Sequence, residues 1–203
     1  AGNASWATLA WTSALALSSA VVMLTMPSLG ALADLRAAKK RLLAFSTVGC
    51  VLATALLALT GPGDLWLAMA AIIVSNIFYS YGESLTAAFL PELARREALG
   101  RVSGWGWSFG YFGGMLTLGL SLGYVLWAQG QGIPAQQFVP VTMLITAGVY
   151  GVSSLLTFVL LKERARPQAG AMQDNGLRAS LARLAQTWRR AQDYQDFVWL
   201  LLC

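Results

Sequence analysis

The sequence predicts an all-α fold, a polytopic bundle of transmembrane helices, on three observations. Of its 203 residues, 57% are hydrophobic and only 11% charged. Soluble domains carry roughly 25% charged residues, so this chain has too little polar surface to cover a water-soluble fold. Five segments also reach the about 20 mostly apolar residues that a helix needs to cross a bilayer. Finally, all 14 Lys and Arg fall in alternate connections between those segments. The apolar blocks are continuous rather than alternating, which argues against a strand barrel. The net charge of +5 does not indicate nucleic acid: confined to short runs between apolar blocks, the basic residues read as topology signals.

The spans are expected at 6–29, 42–60, 65–88, 102–128 and 138–161. Arg36, Lys39, Lys40 and Arg41 follow the first span. Arg95, Arg96 and Arg101 follow the third, and Lys162, Arg164, Arg166, Arg178, Arg183, Arg189 and Arg190 follow the fifth. The connections 61–64 and 129–137 carry no basic residue. Basic connections stay on the cytoplasmic side, so the first span runs inward and residues 1–5 lie outside. Such a chain is expected in a bacterial plasma membrane as a multi-pass protein.

Residues 1–161 thus form a membrane bundle. In 162–196, Pro167, Gly170, Asn175 and Gly176 mark irregular chain. Leu177, Leu181, Leu184 and Trp188 then recur at helical spacing among arginines. That pattern fits an amphipathic helix on the inner membrane surface, or one packed on the protein's own inner face; both readings stay open. Residues 197–203 read as the start of a further span, and both chain ends read as cuts in a longer protein. The N-terminus lacks the basic region of a signal peptide.

No histidine is present and there are only two cysteines, Cys50 inside a span and Cys203 at the end. No metal, cofactor or disulfide framework is expected. A membrane enzyme would need an acid–base pair, a nucleophile or metal ligands near the interface, and the sequence offers none. No Walker signature is present either. No catalytic residue is expected.

Two stretches carry chemistry. In 27–41, Gly30 permits a tight helix exit and close packing. Asp34 places a carboxylate among Arg36, Lys39, Lys40 and Arg41, beside helix ends, as an ion-pair cluster suited to being made and broken; a solvated turn is the plainer alternative. In 89–114, a Leu-Pro91-Glu92 exit precedes Gly100-Arg101-Val-Ser-Gly104-Trp-Gly106-Trp107. Gly106, Gly110 and Gly114 share one helix face, a spacing that lets membrane helices approach closely.

The first stretch resembles the signature of the major facilitator superfamily between its second and third helices, with Gly30, Leu32, Ala33 and Asp34 matching. Leu35 stands where that signature has a basic residue, and Ala37 or Ala38 where it has a glycine. The second stretch is similar to the fourth-to-fifth helix region of the autophagy-related vacuole-effluxer branch. Tyr111 replaces the proline of the antiporter glycine motif, so antiport is not implied. The resemblance implies a major facilitator fold, incomplete here, with the five spans as helices two to six of twelve. It also implies a second six-helix half outside this chain, and secondary transport of small solutes, amino-acid-type efflux among them, with a proton as the coupling ion.

Asn76, Tyr79 and Glu83 share a face of the third span at i, i+3, i+7 spacing. With Trp11, Trp107 and Tyr111 they are the candidate cavity residues. Glu83 reads either as a functional intramembrane acid or as a carboxylate near the inner interface paired with Arg95 or Arg96. Its late position in an inward-running span favours the second.

Overall fold

The long apolar runs do form helices. A computed structural model describes residues 2–35, 37–61 and 63–161, less the side chains of residues 2–5, 7, 31, 34, 35 and 96. It contains α1 (Gly2–Leu35), α2 (Lys39–Leu57), α3 (Leu65–Ala88), a short α4 (Leu90–Leu93), a 3-10 turn (Arg96–Ala98), α5 (Leu99–Gly130) and α6 (Ala135–Leu160). Five windows are long and apolar enough to cross a membrane: Thr8–Gly30, Lys39–Leu57, Leu65–Leu93, Leu99–Gly130 and Ala135–Leu160. There is no strand among the described residues. The expected amphipathic helix and the 197–203 run lie outside the described residues.

The chain divides into two compact units. One comprises Ala1–Val22 and Lys39–Arg164, the other Met23–Ala38 and Ala165–Cys203. In the first, α2 packs against both α3 and α6, and α5 packs against α6. The buried face of α2 is Leu43, Ser46, Thr47, Cys50 and Ala53, the three- and four-residue recurrence of one helix stripe. Glycines set how closely the neighbours approach. A Cβ at Gly49 would lie 2.6 Å from the Phe78 ring of α3, and Phe78 meets Phe45 edge-on at 5.5 Å. A Cβ at Gly82 would be 3.4 Å from the Tyr150 hydroxyl of α6, and one at Gly151 would be 3.7 Å from Val51. Close backbone approach replaces the hydrophobic driving force that is missing between helices in lipid.

In the second unit, the helix exit expected at Gly30 lies farther along. Gly30 is inside α1, and a Cβ there would meet nothing within 4 Å. Leu32, Ala33 and Leu35 extend the helix, and the stop comes from a Schellman cap. The Ala38 N–H donates to the Ala33 carbonyl at 3.1 Å, with Ala37 left-handed at φ 48°. The end of α5 shows the same closure. There Ile133 donates to Ala128 at 3.0 Å across Gly132 at φ 71°, the residue such a cap prefers. Ala37 therefore carries a Cβ where the backbone favours glycine. Relief of the roughly 1–2 kcal/mol left-handed penalty, less glycine's about 0.5–1 kcal/mol of extra unfolded freedom, predicts that Ala37→Gly is stabilising by up to ~1.5 kcal/mol. The thermal midpoint of the purified protein in detergent should rise; a lower midpoint would refute the cap.

Candidate functional site

Two polar constellations stand out in the first unit. One lies at a single end of the bundle. Lys39, the first residue of α2, reaches the Glu92 carboxylate of α4 at 3.0 Å, with side chains only 13% and 16% exposed. Its ammonium also donates to the Ala88 carbonyl at 3.4 Å. The neighbouring Lys40 donates to the Leu161 carbonyl, just past α6, at 2.6 Å. Successive lysines at one helix start thus cap the carboxyl ends of two other helices, where the helix dipole favours cations. Phe89 and Leu85, both nearly fully buried, anchor this end of α3. The contacts bring the start of α2, the end of α3 with α4, and the end of α6 to one end of this unit.

Lys39 finds its carboxylate in the Leu-Pro91-Glu92 exit, within one bundle. The side chain of Asp34 and the whole of Arg36 lie outside the described residues. Of the two pairings expected for Glu83, that with Arg95 is not made, and the side chain of Arg96 lies outside the described residues. Glu83 is exposed and has no ion pair among the described residues. The carboxylate beside the Lys39 cation of α2 is instead Glu92 of α4.

The second constellation lies midway along the spans. Asn76, near the centre of α3, donates through Nδ2 to Ser18 Oγ of α1 at 2.7 Å. Ser18 is fully buried and donates to its own helix at the Leu15 carbonyl at 2.8 Å. Ala10, Ala14 and Ser18 form the buried stripe of α1. Tyr79, one turn after Asn76, faces Tyr150 of α6 with ring centroids 6.5 Å apart and is half-exposed. Ser75, one helical turn before Tyr79, shares a hydrogen bond with Thr54 of α2 at 2.8 Å.

The structure brings some of the expected residues together and leaves others apart. Asn76 and Tyr79 each gain a partner on another helix. Trp107 and Tyr111 pair along α5 at 6.2 Å, and both are exposed, as is Trp11. Gly106, Gly110 and Gly114 also lie open: a Cβ at any of them would meet nothing within 4 Å. Ser18, Tyr150 and Glu92 are the partners that sequence reasoning left off the candidate site. Ser18 and Tyr150 carried a signal, as polar groups inside apolar spans.

Residues 8–203 match the family described as vacuole effluxer Atg22 like. The MFS-type transporter YxiO of Bacillus subtilis (strain 168), itself called uncharacterized, is 28% identical over 191 residues. That alignment covers 93% of this chain and 44% of the relative, so the chain spans less than half the relative's length. No solved structure matches.

Proposed function

The chain belongs to the vacuole effluxer Atg22-like family, and from that premise we propose that it is most of one helical bundle of a secondary transporter that moves small solutes by alternating access. It is a multi-pass integral membrane protein, with five helices long and apolar enough to span a bilayer. The observation that carries the transport reading is the Ser18–Asn76 hydrogen bond halfway along α1 and α3. Carriers of this kind bind substrate near the bilayer midplane, and polar groups at that depth persist only in protein or along a water-filled cavity. Tyr79 extends the polar face of α3 toward the inner end, where Glu83 is exposed. In this reading Asn76, Tyr79, Glu83, Trp11, Trp107 and Tyr111 line half of a cavity. A second bundle, outside this chain, supplies the other half.

In the same reading Gly30, Asp34, Arg36, Lys39 and Lys40 act at the inner end. Lys39 and Lys40 brace α2, α3 and α6 so that they move as one body. Amino acids are the first substrates to try, and a proton is the first coupling ion. The test is saturable solute uptake by the full-length protein in liposomes, driven by a pH gradient. Asn76→Leu should abolish uptake while leaving the size-exclusion profile intact. A folded, inserted wild-type protein that moves no solute under any gradient would favour a sensor or scaffold of the same fold instead.

Orientation is tested separately. Single cysteines at Lys39 and Gln131, in a background without the natural cysteines, should label from opposite sides of the membrane, Lys39 from the cytoplasm. Labelling from one side would overturn the topology.

A further inference from the structure

We propose that one face of α5 is a lipid-facing strip that seats an anionic phospholipid of the inner leaflet, its headgroup on Arg101 and an acyl chain along Trp105, Phe109 and Phe112. Successive positions of a helix turn by 100°, so Arg101, Trp105, Phe109, Phe112, Leu116 and Trp127 fall on one side of the helix. Arg101 is exposed, and the other five are each more than half exposed. The half-buried side of α5 is a different one, through Thr117, Ser121 and the fully buried Ala128.

The order along this face matches a bilayer. Trp105 and Trp127 stand about 33 Å apart along the axis at roughly 1.5 Å per residue, close to the about 30 Å hydrocarbon core. Tryptophan concentrates at the two membrane–water interfaces. Phe109, Phe112 and Leu116 lie between these two markers. Trp105 stacks on Phe109 with ring centroids 5.9 Å apart, a continuous apolar wall for a chain. Arg101 sits one turn outside the inner tryptophan, at the depth of lipid phosphates.

Arg101 makes no ion pair among the described residues, Glu97 one turn earlier included. It lies in the first turn of α5, where a cation opposes the helix dipole. Arg41 and Arg95, at the same end of the bundle, are exposed as well. This cationic end therefore complements the anionic lipids of the cytoplasmic leaflet, and the geometry identifies the strip by which such a lipid lies along the protein.

The test is a bimane fluorophore on Phe109→Cys in the full-length protein, without the natural cysteines, in nanodiscs. Quenching by dibrominated phosphatidylglycerol is compared with quenching by dibrominated phosphatidylcholine. The anionic lipid should bind with about five-fold preference, the effect of one basic residue near the surface. Arg101→Gln should remove the preference, and Arg101→Lys should retain it, which separates headgroup pairing from misfolding. Equal quenching by both lipids with Arg101 intact would overturn the headgroup assignment. No quenching by either would show that protein covers this face, and the proposal would fall.

Discussion

Glu92→Gln is expected to lower both transport and thermal stability, and to do so together. Lys39 and Glu92 are mostly shielded from solvent, so the neutral variant removes one charge-assisted contact of the ammonium in a low-dielectric setting. Removing one partner of a buried pair costs about 3–5 kcal/mol. A residual role of water at this end places the expected loss toward the lower figure. Lys39→Glu should be worse, because it sets two carboxylates face to face and withdraws the donor from the Ala88 carbonyl. The exchange Lys39→Glu with Glu92→Lys should recover part of the stability, and less than all of it, since a glutamate at position 39 cannot donate to that carbonyl. The coupled fall is the discriminating feature. A residue that only biases one conformational state changes transport kinetics at constant melting temperature, whereas a brace within one bundle changes both. Glu92→Gln with an unchanged midpoint and altered flux would instead favour the switching role read from the sequence for Lys39.

The fold was legible where its signal was one-dimensional. Length and hydropathy placed five spans, because a bilayer demands a run of apolar residues whatever its neighbours are. The ends moved by a few residues for local reasons. Helix α2 starts at Lys39 rather than at the first apolar residue, since lysines at its start find carbonyls and a carboxylate on other helices. Helix α1 continues past Gly30 because a lone glycine in a span does not end it, while the left-handed Ala37 does. The candidate site was legible in half. Helical spacing put Asn76, Tyr79 and Glu83 on one face, but which span supplies a partner is set by tertiary packing, so Ser18 opposite Asn76 was not specified. The glycines make the same point. Gly106, Gly110 and Gly114 attract notice by their period, yet the close approaches fall at Gly49, Gly82 and Gly151, which share no period because each serves a different helix pair.

Gly49→Leu should therefore be the most damaging single substitution in this unit. The Cβ alone would stand 2.6 Å, 2.7 Å and 2.8 Å from three carbons of the Phe78 ring, so even Gly49→Ala forces a movement. The ring cannot simply turn away, because Phe45 holds it edge-on from the α2 side. Overpacking of this kind costs about 1–3 kcal/mol for small additions, and a leucine adds three further carbons to the same place. The expected result is loss of the monodisperse peak in detergent for Gly49→Leu, and a lowered midpoint for Gly49→Ala. Phe78→Ala is destabilising by itself, but it should cost less than the sum when combined with Gly49→Ala, because the clash is pairwise and the two costs should not add. Gly110→Leu is the matching control. Its site faces open space within the described residues, so packing of α2, α3 and α6 should be indifferent to it. Additive losses in the Gly49→Ala, Phe78→Ala pair would show that the two helices do not meet at this point, and with that the seating of α2 against α3 would have to be redrawn.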